Sequence, residues 1–211
     1  MIARLLFRDL RRGLGGSAWL PIAFFVLVAA LVPFAIGPDA RLLAQIGPGI
    51  LWIAALTAAL MPIERLVEPD RADGTLDQLS LAGLSEEAIV LAKIAAHWLS
   101  FAPLLMLAAL PAAALLNLDA VAVARLELSL LVGTPGLAAL SVAIAAMVAG
   151  LPRAGTLIGL LLFPLAVPLL IFAAAYLDKG GSALLLEGAA SLLLLAASPF
   201  AGAAAIRAAR T

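Results

Sequence analysis

Charged residues divide the sequence into six long uncharged intervals. These intervals are 13–38, 42–63, 94–118, 128–152, 154–177 and 188–206. A helix needs about 20 apolar residues to cross a hydrocarbon core roughly 30 Å thick, so each interval predicts one membrane-spanning helix. We place the spans at about 17–36, 46–63, 94–116, 128–150, 156–177 and 188–206, in one transmembrane domain over 1–211. The last interval is rich in alanine and glycine, which leaves a re-entrant hairpin there as the alternative.

Composition supports a membrane class. Of the 211 residues, 65% are hydrophobic and 12% are charged, and the mean hydropathy is +1.17; soluble domains are roughly 45–50% apolar and about 25% charged. The uncharged stretch 13–38 is longer than the roughly 7–15 apolar residues of a signal peptide, so an uncleaved first helix is predicted. Thirteen basic residues balance thirteen acidic ones, which gives no sign of a nucleic-acid partner.

Basic residues are distributed unequally between the two sets of connections. With the N-terminus inside, the outside connections hold Arg41, Arg125 and Lys179. The inside connections hold Arg4, Arg8, Arg11, Arg12, Arg65, Arg71, Lys93, Arg153, Arg207 and Arg210. Cytoplasmic loops carry the excess of Lys and Arg, so both termini are predicted to be cytoplasmic.

The first 14 residues have the pattern of an amphipathic helix. Apolar and basic side chains fall on opposite faces at a period of about 3.6 residues, which predicts a helix in the membrane interface before the first span. A basic patch that sets the topology without a helix is the alternative. The apolar face holds Ala3, Leu6, Phe7, Leu10 and Leu14, and the basic face holds Arg4, Arg8, Arg11 and Arg12.

The longest polar stretch, 64–93, predicts a cytoplasmic coupling loop that contains a short helix. Thr75 and Gln78 have the spacing of a capping box, and Gly83 is placed to end the helix. Ser85 is predicted to cap the third span. A leucine-bearing helix in such a loop suits a partner's groove, and packing against its own bundle is the alternative. The residues predicted to form this coupling contact are Asp73, Gly74, Thr75, Leu76, Leu79 and Leu81.

The residues argue against an enzyme. The lysines Lys93 and Lys179 are followed by Ile94 and Gly180, so the Gly-Lys-Ser/Thr of a phosphate-binding loop is absent and ATP hydrolysis is expected from a partner subunit. The uncharged intervals supply no acidic or basic residue for a proton relay or an ion site. His97 is a candidate haem ligand, but it stands beside Trp98, and such a pair more often anchors a helix at headgroup level.

Several segments in order along the chain resemble one family. They are VPFAIGPDARLLAQIGPGILWIAALTAALMPIERL (32–66), ADGTLDQLSL, LAKIAAHW, LLVGTPGLAAL, PLAVPLLIFAAA and SPFAGAAAIR. Together they are similar to CcmB, the family of membrane subunits of the cytochrome c maturation ABC system.

The resemblance implies an all-α, ABC-2-type permease of six spans in the bacterial inner membrane. It also implies an ATPase partner CcmA, neighbours CcmC and CcmD, indirect work with the haem chaperone CcmE, and two copies in the complex. No cofactor is expected on this chain itself; ATP is used by the partner, and haem is the possible pathway substrate. In this family the loop after the second span contacts the ATPase. Here 82–85 reads AGLS, where members of the family often have prolines.

Two mechanisms fit the resemblance. Haem could cross the membrane through the subunit, or ATP energy could release the haem-loaded CcmE from CcmC. The chain lacks the tryptophan-rich periplasmic segment of the haem-handling partners, which favours release. A structural membrane scaffold, or an ABC-2 permease for another hydrophobic substrate, is the alternative.

Overall fold

The fold is entirely helical in the part of the chain that the computed structural model describes, residues 1–15, 19–151 and 154–209. A short first helix precedes six long helices, and two short helices lie between the second and third of these. In chain order they are α1 (Ile2–Leu14), α2 (Trp19–Ile36), α3 (Ala40–Leu60), α4 (Glu64–Ala72), α5 (Thr75–Leu81), α6 (Glu86–Leu115), α7 (Ala120–Val148), α8 (Ala154–Lys179) and α9 (Ala183–Ala208).

Six helical runs are long and apolar enough to cross a membrane. They are α2, the run Ala40–Ala72 that joins α3 to α4, α6, α7, α8 and α9. The all-α class and the six spans are therefore confirmed. The last span is one continuous helix of 26 residues, not a re-entrant hairpin. Positions 17 and 18 of the predicted first span, together with Arg153 and Arg210, lie outside the described residues.

Three long helices begin earlier than the uncharged intervals indicated, because polar residues cap them. The Asp39 carboxylate accepts hydrogen bonds from the backbone N–H groups of Arg41 and Leu42 at the start of α3. Asp119 accepts one from Ala122 at the start of α7 (2.7 Å). Such caps satisfy N–H groups that have no partner inside the helix. The first turns of α3 and α6 therefore contain charged residues, Arg41 in one and Glu86 and Glu87 in the other, that the intervals excluded.

Helix α7 forms the centre of the bundle and packs most extensively against α9. Glycine allows this approach: a Cβ on Gly136 would lie 2.8 Å from the Ser191 Cα. The Gly136 N–H also donates a hydrogen bond to the Ser191 Oγ (2.9 Å). Small residues at this contact therefore let the two helices pack closely.

Contacts at one end of the bundle bring together α1, α4 and the first turns of α6. The C-terminus of α9 is also at this end, where Arg207 donates a hydrogen bond to Glu87 (2.7 Å). The Glu68 carboxylate accepts one from the Gly150 N–H, at the far end of α7 (2.7 Å). This is the end at which the sequence collects most of its basic residues. We call it the basic end.

Candidate functional site

Helix α5 lies at the basic end and is the predicted coupling helix. Only Asp73 and Gly74 separate it from α4. Gly74 adopts a left-handed conformation with φ of 72°, which lets the chain turn within two residues. The Asp73 carboxylate accepts a hydrogen bond from the Thr75 N–H (2.9 Å), and hydrogen bonding by Thr75 lowers the pKa of this carboxyl.

The predicted capping box is wrong, whereas the predicted helix end is confirmed. Thr75 is the first residue of α5 and Gly74 is its N-cap. Glycine has no side chain, so the side-chain hydrogen bond that a capping box requires at the N-cap is not made. At the other end Gly83 has φ of 89°. The Leu84 N–H donates to the Leu79 carbonyl (3.1 Å), the six-residue closure of a Schellman motif. The Ser85 cap on α6 is also confirmed (3.3 Å to the Ala88 N–H).

The three leucines of α5 do not form one exposed face. Leu76 is 4% exposed and belongs to the core of the bundle, and Leu79 is half-buried against that core. Leu81 is 89% exposed. The placement of Leu76 on a partner-facing surface is therefore wrong, because a seven-residue helix so close to the bundle must bury one side. The exposed side of α5 holds Asp77, Gln78 and Leu81, next to Asp73 and Ala82.

A buried cluster of charges lies beside α5 at the same end. Asp70 of α4 is 1% exposed, and three basic residues surround its carboxylate. Lys93 Nζ donates to it at 2.5 Å, Arg12 Nη1 donates at 2.7 Å, and Arg8 Nη2 also pairs with it. A buried carboxylate persists only when such partners offset its desolvation.

The same cluster fixes the amphipathic helix to the bundle. Lys93 Nζ also donates to Asp9 (3.0 Å) and to the Leu66 carbonyl (2.9 Å), so one ammonium joins α1, α4 and α6. Burial lowers the pKa of Arg8, but Asp9 and Asp70 outweigh it, and the pKa is raised. The predicted helix is confirmed. Its basic face is not wholly solvated, however, because Arg8 and Arg12 turn toward Asp70 and Leu5 is buried.

His97 and Trp98 lie inside the bundle and not at its surface. His97 is buried and stacks on Phe101 with ring centroids 5.6 Å apart. The Trp98 indole donates to the Thr134 hydroxyl of α7 (3.0 Å). Helix α6 starts at its Ser85 cap, so the pair lies three turns into the helix and contacts neighbouring side chains; the headgroup anchor stays a prediction.

Glu187 corrects the expectation that acidic residues avoid the spans. It lies in the second turn of α9 and is 0% exposed. Ser129 Oγ of α7 lies 2.8 and 2.9 Å from its two carboxylate oxygens. The Trp52 indole of α3 donates to the same hydroxyl (2.8 Å), so three helices meet at one polar point in the core. Ionisable residues in spans are functional candidates, and here the visible role is to join α3, α7 and α9.

The comparisons with known proteins agree with this architecture. The profile of the family described as CcmB protein matches residues 1–209. The chain belongs to the CcmB family. "Heme exporter protein B" of Rhodobacter capsulatus is 45% identical over 211 residues, covering 96% of this chain and 97% of that protein. The Paracoccus denitrificans protein of that name is 44% identical, with 96% and 97% covered. The one from Escherichia coli strain K12 is 44% identical over 193 residues, with 89% and 88% covered.

Two features of this CcmB-family chain were not predicted from its sequence. Asp70 lies in a polar stretch where nothing marks it as buried, and its partners Arg8 and Arg12 are about 60 residues away in the sequence. Glu187 stands just outside the uncharged interval 188–206. A signal for it was available, since Ser182 and the glycines 180 and 181 before it could have marked an earlier start for the last helix.

Proposed function

We propose that this chain is the membrane subunit of an ABC-type haem-handling complex in cytochrome c maturation. The chain transmits the ATP hydrolysis of a partner subunit to haem delivery or to release of the haem-loaded chaperone. Family membership supports this proposal, and so do the relatives named heme exporter protein B. The chain acts as a transport subunit, and catalysis belongs to the ATPase.

The exposed side of α5 is the observation that best supports the proposed coupling role. A permease without its own phosphate-binding loop needs a mechanical contact with its ATPase. Helix α5 presents Leu81 to solvent, while Leu76 and Leu79 fix the helix to the bundle. An exposed apolar side chain on a short, firmly held helix is suited to a partner's groove. The coupling residues then divide into an inner set that holds α5 and an outer set that binds.

The partners we propose are the ATPase CcmA on the exposed side of α5, with CcmC and CcmD beside the spans and CcmE acting indirectly. We propose two copies of this chain in the complex and the bacterial inner membrane as its location. Within this assembly, release of haem-loaded CcmE remains our favoured mechanism.

Coupling requires the basic end to face the cytoplasm, and the chain's lack of cysteine makes this testable. Cysteines introduced at Ala82, next to α5, and at Asp178, near the end of α8, are both exposed. We expect an impermeant thiol reagent added to intact cells to label Asp178→Cys and to spare Ala82→Cys, with both labelled after lysis. The excess of basic residues at the Ala82 end is the reason. Labelling of Ala82→Cys in intact cells would show that the basic end faces outward and would contradict the predicted orientation.

The function itself is tested by complementation. We expect cells that lack this chain to lose c-type cytochromes while their b-type cytochromes stay at wild-type levels, as measured by haem staining and by difference spectra. Plasmid-borne chain should restore them. A complex that contains an ATPase subunit with its phosphate-binding lysine replaced should assemble without restoring them. Restoration by that inactive complex would favour the scaffold alternative.

A further inference from the structure

A cavity of about 290 Å³ lies at the basic end, between α1, α4 and α6 and beside the start of α2. Its lining combines members of the charge cluster with apolar side chains from α2 and from further along α6. Its size is at the lower limit of ordinary small-ligand pockets. Residues that matter for its chemistry are Arg12, Arg65, Lys93, His97, Ile22 and Phe101.

The charges around this cavity are unequal. Arg12, Arg65 and Lys93 line it against the two carboxylates of Asp9 and Asp70, and the partner of both carboxylates, Arg8, adds a further positive charge. Arg65 is exposed and has no ion-pair partner among the residues that the structure describes. Arg12 is also half-exposed and donates from one nitrogen to Asp70. Because a guanidinium carries five N–H donors, both arginines keep donors for an anion.

The rest of the lining is largely apolar and contains one polar ring, on the same helix as Lys93. Pro21, Ile22 and Phe101 contribute hydrocarbon surface, and the imidazole of His97 is stacked on Phe101. His97 is 5% exposed, and its Nε2 has no hydrogen-bond partner among the described residues. A buried polar atom without a partner costs free energy unless a bound molecule or water satisfies it. An anionic group with an attached apolar chain matches both the charged and the apolar part of this lining.

We propose that this cavity binds the headgroup of an anionic phospholipid. The phosphate lies between Arg12 and Arg65, with His97 facing the glycerol region, and the acyl chains run out along the apolar side near Ile22. Basic pockets between helices at the cytoplasmic face are typical sites for such headgroups. The lipid would occupy the space between α1 and the bundle. The proposal does not depend on the transport assignment.

Native mass spectrometry of the full-length chain in a neutral detergent tests this site. We expect one phosphatidylglycerol to stay bound per chain under conditions that remove phosphatidylcholine, and Arg65→Gln to weaken its binding about fivefold, the share of one basic residue near a headgroup. His97→Phe should weaken it as well while leaving the charge unchanged. Glycerol phosphate without acyl chains should compete poorly, which separates a lipid from a soluble phosphate.

The matched control is Arg4→Gln, which removes an exposed arginine from α1 that does not line the cavity. It should leave phosphatidylglycerol binding unchanged. Equal losses for Arg4→Gln and Arg65→Gln would mean that a diffuse basic surface attracts the lipid, and the site would be wrong. Retention of phosphatidylcholine as strong as that of phosphatidylglycerol would overturn it too. Full competition by glycerol phosphate would show that the cavity binds a soluble anion and not a phospholipid.

Discussion

Asp70→Ala should lower the free energy of unfolding of the purified chain by about 3 kcal/mol, because it removes the shared partner of the buried Lys93 and of the partly exposed Arg8 and Arg12. Lys93 is 4% exposed and would keep only Asp9 and the Leu66 carbonyl. The half-exposed Arg12 can recover hydration, which holds the loss near the lower end of the range for a broken buried pair. Equilibrium unfolding in mixed detergent micelles measures the change.

Two comparisons make this result specific. Asp178→Ala removes an exposed carboxylate at the opposite end of the bundle and should change the free energy of unfolding by less than about 0.5 kcal/mol. Asp70→Ala combined with Lys93→Met should recover part of the loss, because the most buried of the unpaired charges is then gone. We also expect trypsin to cleave within α1 faster in Asp70→Ala than in wild type. Wild-type stability together with unchanged cleavage would show that the cluster does not hold α1.

The fold could be predicted from the sequence because each span carries its own signal. Uncharged runs of sufficient length indicate six helices whatever their neighbours, and a local motif such as Gly83 or Ser85 marks a helix end. Most failures lie where the determining contact is distant. Thr75 is a local exception, because the adjacent left-handed Gly74 takes the N-cap position.

The position of the candidate site along the chain could be predicted, but not which of its residues are buried against the bundle and which are exposed. The polar stretch after the second span locates the short helix α5 correctly, and its coupling role stays a prediction. Which leucine faces outward depends on how α5 lies against the bundle, and the spacing of Leu76, Leu79 and Leu81 alone cannot decide it. Asp70 and Glu187 have the same difficulty, because burial of a charge is set by partners on other helices, such as Lys93 and Ser129.

Leu81→Asp should abolish most of the association between this chain and its ATPase while leaving the chain inserted and folded. Burying an exposed leucine at an interface contributes roughly 1.5–3 kcal/mol, so its loss weakens docking about tenfold or more. The aspartate adds the cost of desolvating a charge. Leu76→Asp is a poorer test, because that side chain is in the core and its replacement should destabilise the chain itself.

The matched control is Leu42→Asp, at the start of α3 and at the end of the bundle opposite to α5. Leu42 is also exposed, and the same charge change there should spare ATPase association. Comparable expression and detergent stability of the two variants would show that any difference arises from docking.

The most direct measurement is therefore the amount of ATPase that co-purifies with tagged Leu81→Asp, Leu42→Asp and wild-type chain from membranes, taken together with the c-type cytochrome content of the same cells. The coupling role of α5 predicts that Leu81→Asp retains at most about a tenth of the wild-type ATPase, with cytochromes falling in parallel and Leu42→Asp unchanged. Full ATPase association and full cytochrome content in Leu81→Asp would contradict it.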